Sequence, residues 1–120
     1  MNPFILTIRN EQLLAFRHHF NGEYATEVRD NLKQSIPHKM EGFTDEELLK
    51  EIIRLIEYFQ NNGIAKKGNI HRLVYLRFMY PECLALPYPP ETVYHLTYPD
   101  RSEDDKSNQL FLSVLAKYEK

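Results

Sequence analysis

The sequence predicts an all-α fold, a compact bundle of about four to five helices in a single domain over residues 1–120. Apolar residues recur mainly three and four positions apart, which is the spacing that lines one face of a helix. No segment alternates apolar and polar residues as a half-buried strand would. A chain of this length also suits one domain, because it buries roughly two-thirds of the surface that it exposes when unfolded.

The first predicted helix is long and begins near Asn10, which can serve as its N-cap. Its apolar stripe has members four residues apart, namely Phe16, Phe20, Tyr24, Val28, Leu32 and Ile36. Two interpretations are open: one helix of roughly 39 Å over residues 11–36, or a break at Asn21-Gly22. We favour a continuous or merely kinked helix, because one glycine costs only about 1 kcal/mol in a helix interior.

The second predicted helix has the clearest boundaries. Thr44 and Glu47 stand at the spacing of a capping box, in which each side chain bonds the backbone N–H of the other. Asn61-Asn62-Gly63 is a stop signal, with Gly63 suited to a left-handed C-cap. The acidic run 45–47 lies at the positive end of the helix dipole, which explains it better than a metal site does.

The third predicted helix covers about Asn69 to Tyr80 and ends at Pro81, which cannot continue it. It is apolar on nearly every face, which is typical of a central helix. Arg77 breaks this pattern because it projects within about 20° of Ile70. Two partners are open for its charge: the last carbonyl groups of its own helix, which we favour, or a buried carboxylate.

Residues 80–99 differ in composition from the rest of the chain. Five of the seven prolines lie there, together with Tyr80, Tyr88, Tyr94 and Tyr98. The pair Pro89-Pro90 suits the start of a short helix over about 91–96, because proline is favoured in the first helical turn. This segment therefore predicts a proline- and tyrosine-rich loop that leads into the last helices.

The last predicted helix follows Ser102, and Ser102 to Asp105 resembles a capping box. Its inward-facing residues are Leu110, Phe111, Val114, Leu115 and Tyr118. Leu112 points away from them, and whether it belongs to a dimer face is left open.

Charge, cysteine content and hydropathy exclude several classes of protein. The formal net charge is −2, whereas a dedicated nucleic-acid binder normally carries a basic excess. A single cysteine, Cys83, cannot form an intrachain disulfide and fits a reducing compartment. No apolar run approaches the roughly 20 residues that cross a bilayer, and residues 1–9 lack the features of a signal peptide. We therefore expect a cytoplasmic protein that binds neither nucleic acid nor membrane.

Signatures of catalysis and of cofactor or metal binding are missing from the sequence. It has no glycine-rich phosphate loop, no nucleophile elbow and no His-Glu-x-x-His motif. No two of the five histidines stand four residues apart, the spacing that places two imidazoles on one helix face. We predict no catalytic residue, no metal site and no cofactor. The open alternative is a small helical enzyme in which carboxylates from different helices meet a histidine.

The candidates for a functional surface are basic and aromatic. The basic cluster at 66–72 would steer an acidic partner, and the tyrosines of residues 80–99 would anchor it, because tyrosine is enriched at protein interfaces. The competing interpretation is that these tyrosines pack the loop against the helices. The predicted partner-binding residues are Lys66, Lys67, Arg72, Tyr80, Tyr88, Tyr94 and Tyr98.

Four features follow one another along the chain. They are a long first helix, a helix ending in Asn62-Gly63-Ile64, the run Ile70 to Met79 and a proline-bearing loop. This order resembles small helical proteins encoded in bacterial type VI secretion effector clusters, over about Gln12 to Leu115. Many members of that group carry a tryptophan after the proline loop, where this chain has Tyr94. The resemblance implies a non-enzymatic protein that binds a toxin, either an immunity protein that blocks it by occlusion or a chaperone or loading adaptor.

Overall fold

The computed structural model describes residues 20–85 and 87–119, and every regular element within them is helical. Helix α1 covers residues 20–35 of this part, followed by α2 (Pro37–Met40), α3 (Asp45–Asn61), α4 (Lys67–Met79), a 3-10 helix (Pro81–Leu84), α5 (Pro90–Thr97) and α6 (Glu103–Tyr118). The all-α prediction is confirmed. The described ranges hold six α-helices rather than four to five, because the four-residue α2 has no signal in the apolar spacing.

Helix α1 shows no break at Asn21-Gly22 in the described chain. The Asn21 side chain is buried, with 1% of its surface exposed, and it exchanges two hydrogen bonds with Gln60 of α3. Asn21 Nδ2 donates to Gln60 Oε1, and Gln60 Nε2 donates to Asn21 Oδ1, each over 3.0 Å. This reciprocal pair joins the first described turn of α1 to α3. The predicted start near Asn10, and Phe16 of the stripe, lie outside the described residues.

The end of α1 is set by a proline. Ile36 has a φ of −137° and a ψ of 59°, and the residue before a proline is disfavoured in the helical conformation. Pro37 is the first residue of α2, a position where a backbone N–H would have no partner within the helix. Ile36 is nevertheless buried, so the last position of the predicted stripe belongs to the core.

The predicted boundaries of α3 are confirmed. Thr44 Oγ1 accepts from the Glu47 N–H and Glu47 Oε1 accepts from the Thr44 N–H, both over 3.1 Å. Gly63 has a φ of +83°, a conformation that glycine adopts without a steric penalty. Helix α4 begins at Lys67 instead of about Asn69 and ends at Met79.

One cluster of buried apolar side chains connects all of these helices. Helix α4 lies at its centre and contributes residues from several faces, as its composition predicts: Ile70, Leu73, Val74, Leu76 and Phe78. On α6, Leu110 and Val114 are buried whereas Leu112 keeps 59% of its surface exposed. Within the described residues, no helix has both the length and the apolar character that a membrane span requires.

Candidate protein-binding surface

The basic cluster at the start of α4 is in contact with the acidic first turn of α6. Lys66 Nζ lies 3.1 Å from Asp104 Oδ2. Glu103 Oε1 accepts from the backbone N–H groups of Ala65 and Lys66, over 2.9 and 2.5 Å. Hydrogen bonds from Asn69 and Lys66 hold the pKa of Asp104 below its usual value. The positive charge of Lys66 is thus offset within the chain.

Lys67 faces the aromatic residues of α1. Its Nζ lies 5.1 Å from the ring centroid of Phe20 and 5.2 Å from that of Tyr24, distances at which a cation is attracted to a ring face. The Lys67 carbonyl accepts a hydrogen bond of 2.8 Å from the Tyr24 hydroxyl. Burial raises the pKa of Tyr24 to about 12, so this phenol remains a donor.

Arg72 connects α4 to α6. Its Nη2 donates to Ser107 Oγ over 2.6 Å and to Asn108 Oδ1 over 2.7 Å. The guanidinium carbon lies 5.0 Å from the ring centroid of Phe111. Ser107 is fully buried, so the Arg72 side chain serves the contact between the two helices.

Two of the four predicted tyrosines also pack against other side chains of the protein. Tyr88 stacks on Tyr58 of α3, with ring centroids 4.2 Å apart and 12° between the planes. Tyr80 stacks on Tyr118 of α6 at 5.6 Å and 17°. Tyr80 and Tyr118 also line a surface cleft of about 200 Å³ together with Met79, Pro81 and Glu82.

Tyr88 is fixed further by a cluster of charges around Glu51. Its hydroxyl accepts from Arg54 Nη1 over 2.5 Å, and Arg54 Nη2 donates to Glu51 Oε1 over 2.5 Å. Arg77 Nε also donates to Glu51 Oε1, over 3.1 Å. The expectation that Arg77 reaches the last carbonyl groups of α4 is therefore wrong, because packing of α3 on α4 brings a carboxylate within reach.

The remaining two tyrosines are exposed and lie side by side. Tyr94 and Tyr98 keep 51% and 44% of their surfaces exposed, and their ring centroids are 5.2 Å apart. Val93, next to Tyr94, is 40% exposed. The Arg101 guanidinium carbon lies 5.6 Å from the Tyr94 centroid and 4.7 Å from that of Tyr98. We call Val93, Tyr94, Tyr98 and Arg101 the α5 patch.

The α5 patch faces outward because the other side of α5 is anchored. Thr92 and Leu96 are buried, and the Thr92 hydroxyl donates to the Cys83 carbonyl over 2.9 Å. Lys117 of α6 pairs with Glu91 at 2.7 Å. These contacts orient the exposed side of an eight-residue helix that is too short to be stable alone.

Arg101 and Val93 are the members of the α5 patch that sequence reasoning did not single out, and Arg101 makes the more specific contacts. Its Nη1 lies 3.3 Å from His95 Nδ1, and its Nε lies 3.7 Å from Asp105 Oδ2. Its side chain is only 20% exposed, so its main contacts are within the chain. The available signal is its position three residues after Tyr98, close enough for a turn to bring the two together.

Seven residues were predicted to bind a partner, and the structure divides them. Lys66, Lys67 and Arg72 contact α1 or α6, Tyr80 and Tyr88 stack on other tyrosines, and Tyr94 and Tyr98 form the exposed pair. Their role in binding stays a prediction. Of the two interpretations of the tyrosines, packing describes one half of the set and surface exposure the other.

The pKa values of several carboxyl groups and of the cysteine differ from their ordinary values in the part of the chain that the structure describes. Among the described residues, hydrogen bonds lower the pKa values of four carboxyl groups, namely Asp45, Glu47, Glu91 and Asp104. Burial raises the pKa of the Cys83 thiol to about 12, whereas a nucleophilic cysteine needs a lowered pKa. Within the described residues, no three His, Cys, Asp or Glu side chains are grouped as metal ligands would be.

Comparison with known proteins adds no relative. No protein-family model, no curated protein and no solved structure matches the chain. The resemblance to proteins of type VI secretion clusters therefore stays a prediction.

Proposed function

We propose that this protein is a non-enzymatic, cytoplasmic binding protein that recognises a bacterial type VI secretion effector through the α5 patch. In this proposal it is an immunity protein, which blocks the toxin by occluding its working surface. One observation supports the choice of surface: Tyr94 and Tyr98 are half exposed and adjacent on an anchored helix. Tyrosine is one of the side chains enriched at the energetic centres of protein interfaces.

The α5 patch suits this role because its aromatic groups are already ordered. Arg101 lies against both rings, and Tyr94 contacts Tyr98 directly. A partner would therefore immobilise few freely rotating side chains, and ordering such side chains opposes association. Val93 extends the apolar area beside the rings.

The basic cluster has a smaller part in this proposal than in the prediction from sequence. Lys66 is paired with Asp104, and Arg72 donates to Ser107 and Asn108. Both are committed to the contact between α4 and α6. We expect Lys66→Ala to reduce partner affinity much less than the tyrosine substitutions do, because Lys66 is already paired within the chain and exposed charges mainly affect the rate of association.

The proposal is tested by genetics combined with co-purification. The candidate partner is the effector encoded beside the gene for this protein, and the two are co-expressed with an affinity tag on the effector. We expect the wild type to co-purify and the double variant Tyr94→Ala/Tyr98→Ala not to. Leu112→Ala removes an exposed apolar side chain from α6 and is the matched control.

Deletion of the gene separates immunity from the alternative role. An immunity protein predicts that the deletion strain is killed by its sister cells. A chaperone or loading adaptor predicts failed secretion of the effector without killing. Co-purification that persists in the double variant would reject the α5 patch as the docking surface.

A further inference from the structure

Arg101 lies at the junction of a histidine, a carboxylate and two aromatic rings. Its Nη1 is 3.3 Å from His95 Nδ1, its Nε is 3.7 Å from Asp105 Oδ2, and its guanidinium carbon lies over Tyr94 and Tyr98. The His95 ring in turn meets the Tyr94 ring edge to face, with centroids 5.4 Å apart. The position of one guanidinium therefore determines what supports both exposed tyrosines.

The contact between Arg101 and His95 fixes the protonation state of the imidazole. A guanidinium has only donors and stays charged at any pH in which proteins fold. His95 Nδ1 must therefore be the acceptor, which requires a neutral ring with its proton on Nε2. A proton added to Nδ1 would place two donors and two positive charges opposite each other.

We propose that protonation of His95 displaces Arg101 from the rings of Tyr94 and Tyr98, so that the α5 patch is ordered only while His95 is neutral. Asp105, at the start of α6, can bind the displaced guanidinium, because its Oδ2 already lies 3.7 Å from Arg101 Nε. The tyrosine rings lose the cation that contacts both of them. Acid thus changes the exposed surface without changing the anchored side of α5.

The other charged groups around His95 offset this effect only in part. Glu91, one turn earlier on α5, favours the protonated ring. Its carboxylate is paired with Lys117 of α6 at 2.7 Å, which weakens its influence. Burial, and after it the charge of Arg101, lowers the pKa of His95, in keeping with a guanidinium that faces the ring nitrogen.

The regulatory meaning of this switch rests on the proposed function, but the switch itself is measurable without any partner. The experiment is a pH titration of the isolated protein by NMR, following the imidazole signals and the tyrosine ring signals. His95→Asn assigns the His95 signals by their disappearance. We expect the ring signals of Tyr98 to move with the same midpoint as His95 and to become pH-independent over this range in His95→Asn. His38→Asn, which alters an exposed histidine of α2, is the control that should leave both curves unchanged.

Arg101→Gln tests the coupling between Arg101 and His95 by removing the guanidinium. Removing the cation should raise the midpoint of His95 toward about 6.5, the ordinary value for a histidine. Tyr98 signals that ignore the His95 midpoint, or a His95 midpoint that is the same in Arg101→Gln, would overturn the proposal.

Binding experiments separate this inference from the proposed function. If effector binding by the wild type weakens as the pH falls through the His95 midpoint and His95→Asn loses that pH dependence, the switch regulates the α5 patch. If the effector does not bind at any pH, the proposed function fails while the NMR titration still decides the switch.

Discussion

Arg77 of α4 and Glu51 of α3 are joined by a hydrogen bond of 3.1 Å between Nε and Oε1. The same carboxylate holds Arg54, through Nη2 at 2.5 Å and Nε at 3.1 Å. Arg54 also donates to the Leu84 carbonyl over 3.2 Å and to the Tyr88 hydroxyl. One carboxylate therefore connects the two central helices to the segment that precedes α5.

Replacement of this carboxylate should destabilise the fold. In Glu51→Gln, two arginines that are only 16% and 28% exposed lose their negative partner. We expect the free energy of unfolding to fall by about 1–3 kcal/mol, the cost of leaving such groups unpaired. Urea denaturation measures it. Glu46→Gln is the matched control: its pair with Lys50 is more than three-quarters exposed on both sides, and we expect a change under about 0.5 kcal/mol. Equal effects of the two variants would contradict this assignment.

The buried amide pair of α1 and α3 gives a second prediction. Asn21→Ala removes one partner of Gln60 and leaves a small cavity, so stability should fall by about 1–3 kcal/mol. Asn31→Ala, at an exposed site of the same helix, should change it by less than about 0.5 kcal/mol. A double-mutant cycle with Gln60→Ala isolates the pair. A coupling energy indistinguishable from zero would show that the two hydrogen bonds add nothing to the fold.

Acid should destabilise the protein through its paired surface carboxylates. A hydrogen bond from Lys33 lowers the pKa of Asp45, and hydrogen bonds from Asn69 and Lys66 lower that of Asp104. A carboxyl group whose pKa is lower in the folded than in the unfolded protein adds stability at pH values above its unfolded pKa of about 4. This stability is lost as the pH falls through the pKa of the folded state. These carboxylates should therefore make the urea midpoint fall below about pH 4, in addition to the loss that His95, whose pKa is lowered, causes as the pH falls below about 6.5.

Lys33→Gln tests the origin of this acid dependence. It removes the main cause of the shift at Asp45, so the midpoint should fall less steeply with acid than in the wild type. Lys39→Gln removes an exposed lysine of α2 that makes no ion pair among the described residues. It should leave the acid dependence as it is. A steeper fall in Lys33→Gln would contradict the assignment.

The Cys83 thiol should be unreactive in the folded protein. It is buried, its pKa is raised to about 12, and its Sγ lies 3.6 Å from the Leu76 carbonyl. Reaction with a disulfide reagent at pH 8 requires a thiolate that the reagent can reach. We expect labelling only at the rate of unfolding, and rapid labelling in denaturant. Fast labelling of the native protein would show that this side chain is accessible.

The sequence predicts those features of the fold that depend on neighbouring residues. Thr44 and Glu47 cap α3 from three residues apart, Gly63 takes its left-handed conformation at the end of that helix, and Ser102 Oγ accepts from the Asp105 N–H. Each of these features depends only on residues that lie close together in the chain. Spacing along the chain is sufficient information for such contacts.

Contacts between distant parts of the chain could not be predicted in this way. Arg77 and Glu51 are 26 residues apart, and Arg72 and Ser107 are 35 apart. Apolar periodicity shows that a helix has a buried face, but it does not show which helix covers that face. The exposure of Tyr94 likewise follows from how α5 is anchored, which depends on contacts with the Cys83 carbonyl and Lys117.

The central claim is that Tyr94 and Tyr98 of the α5 patch form the energetic centre of a protein interface. The most direct measurement is the dissociation constant for the neighbouring effector by calorimetry at pH 7.5. Tyr94→Ala/Tyr98→Ala is compared with the wild type and with Leu112→Ala, and all three are first shown to unfold at the same urea concentration. We predict that the double variant binds at least about thirtyfold more weakly, corresponding to about 2 kcal/mol, while Leu112→Ala binds as the wild type does. Equal affinities for the double variant and the wild type would contradict the claim.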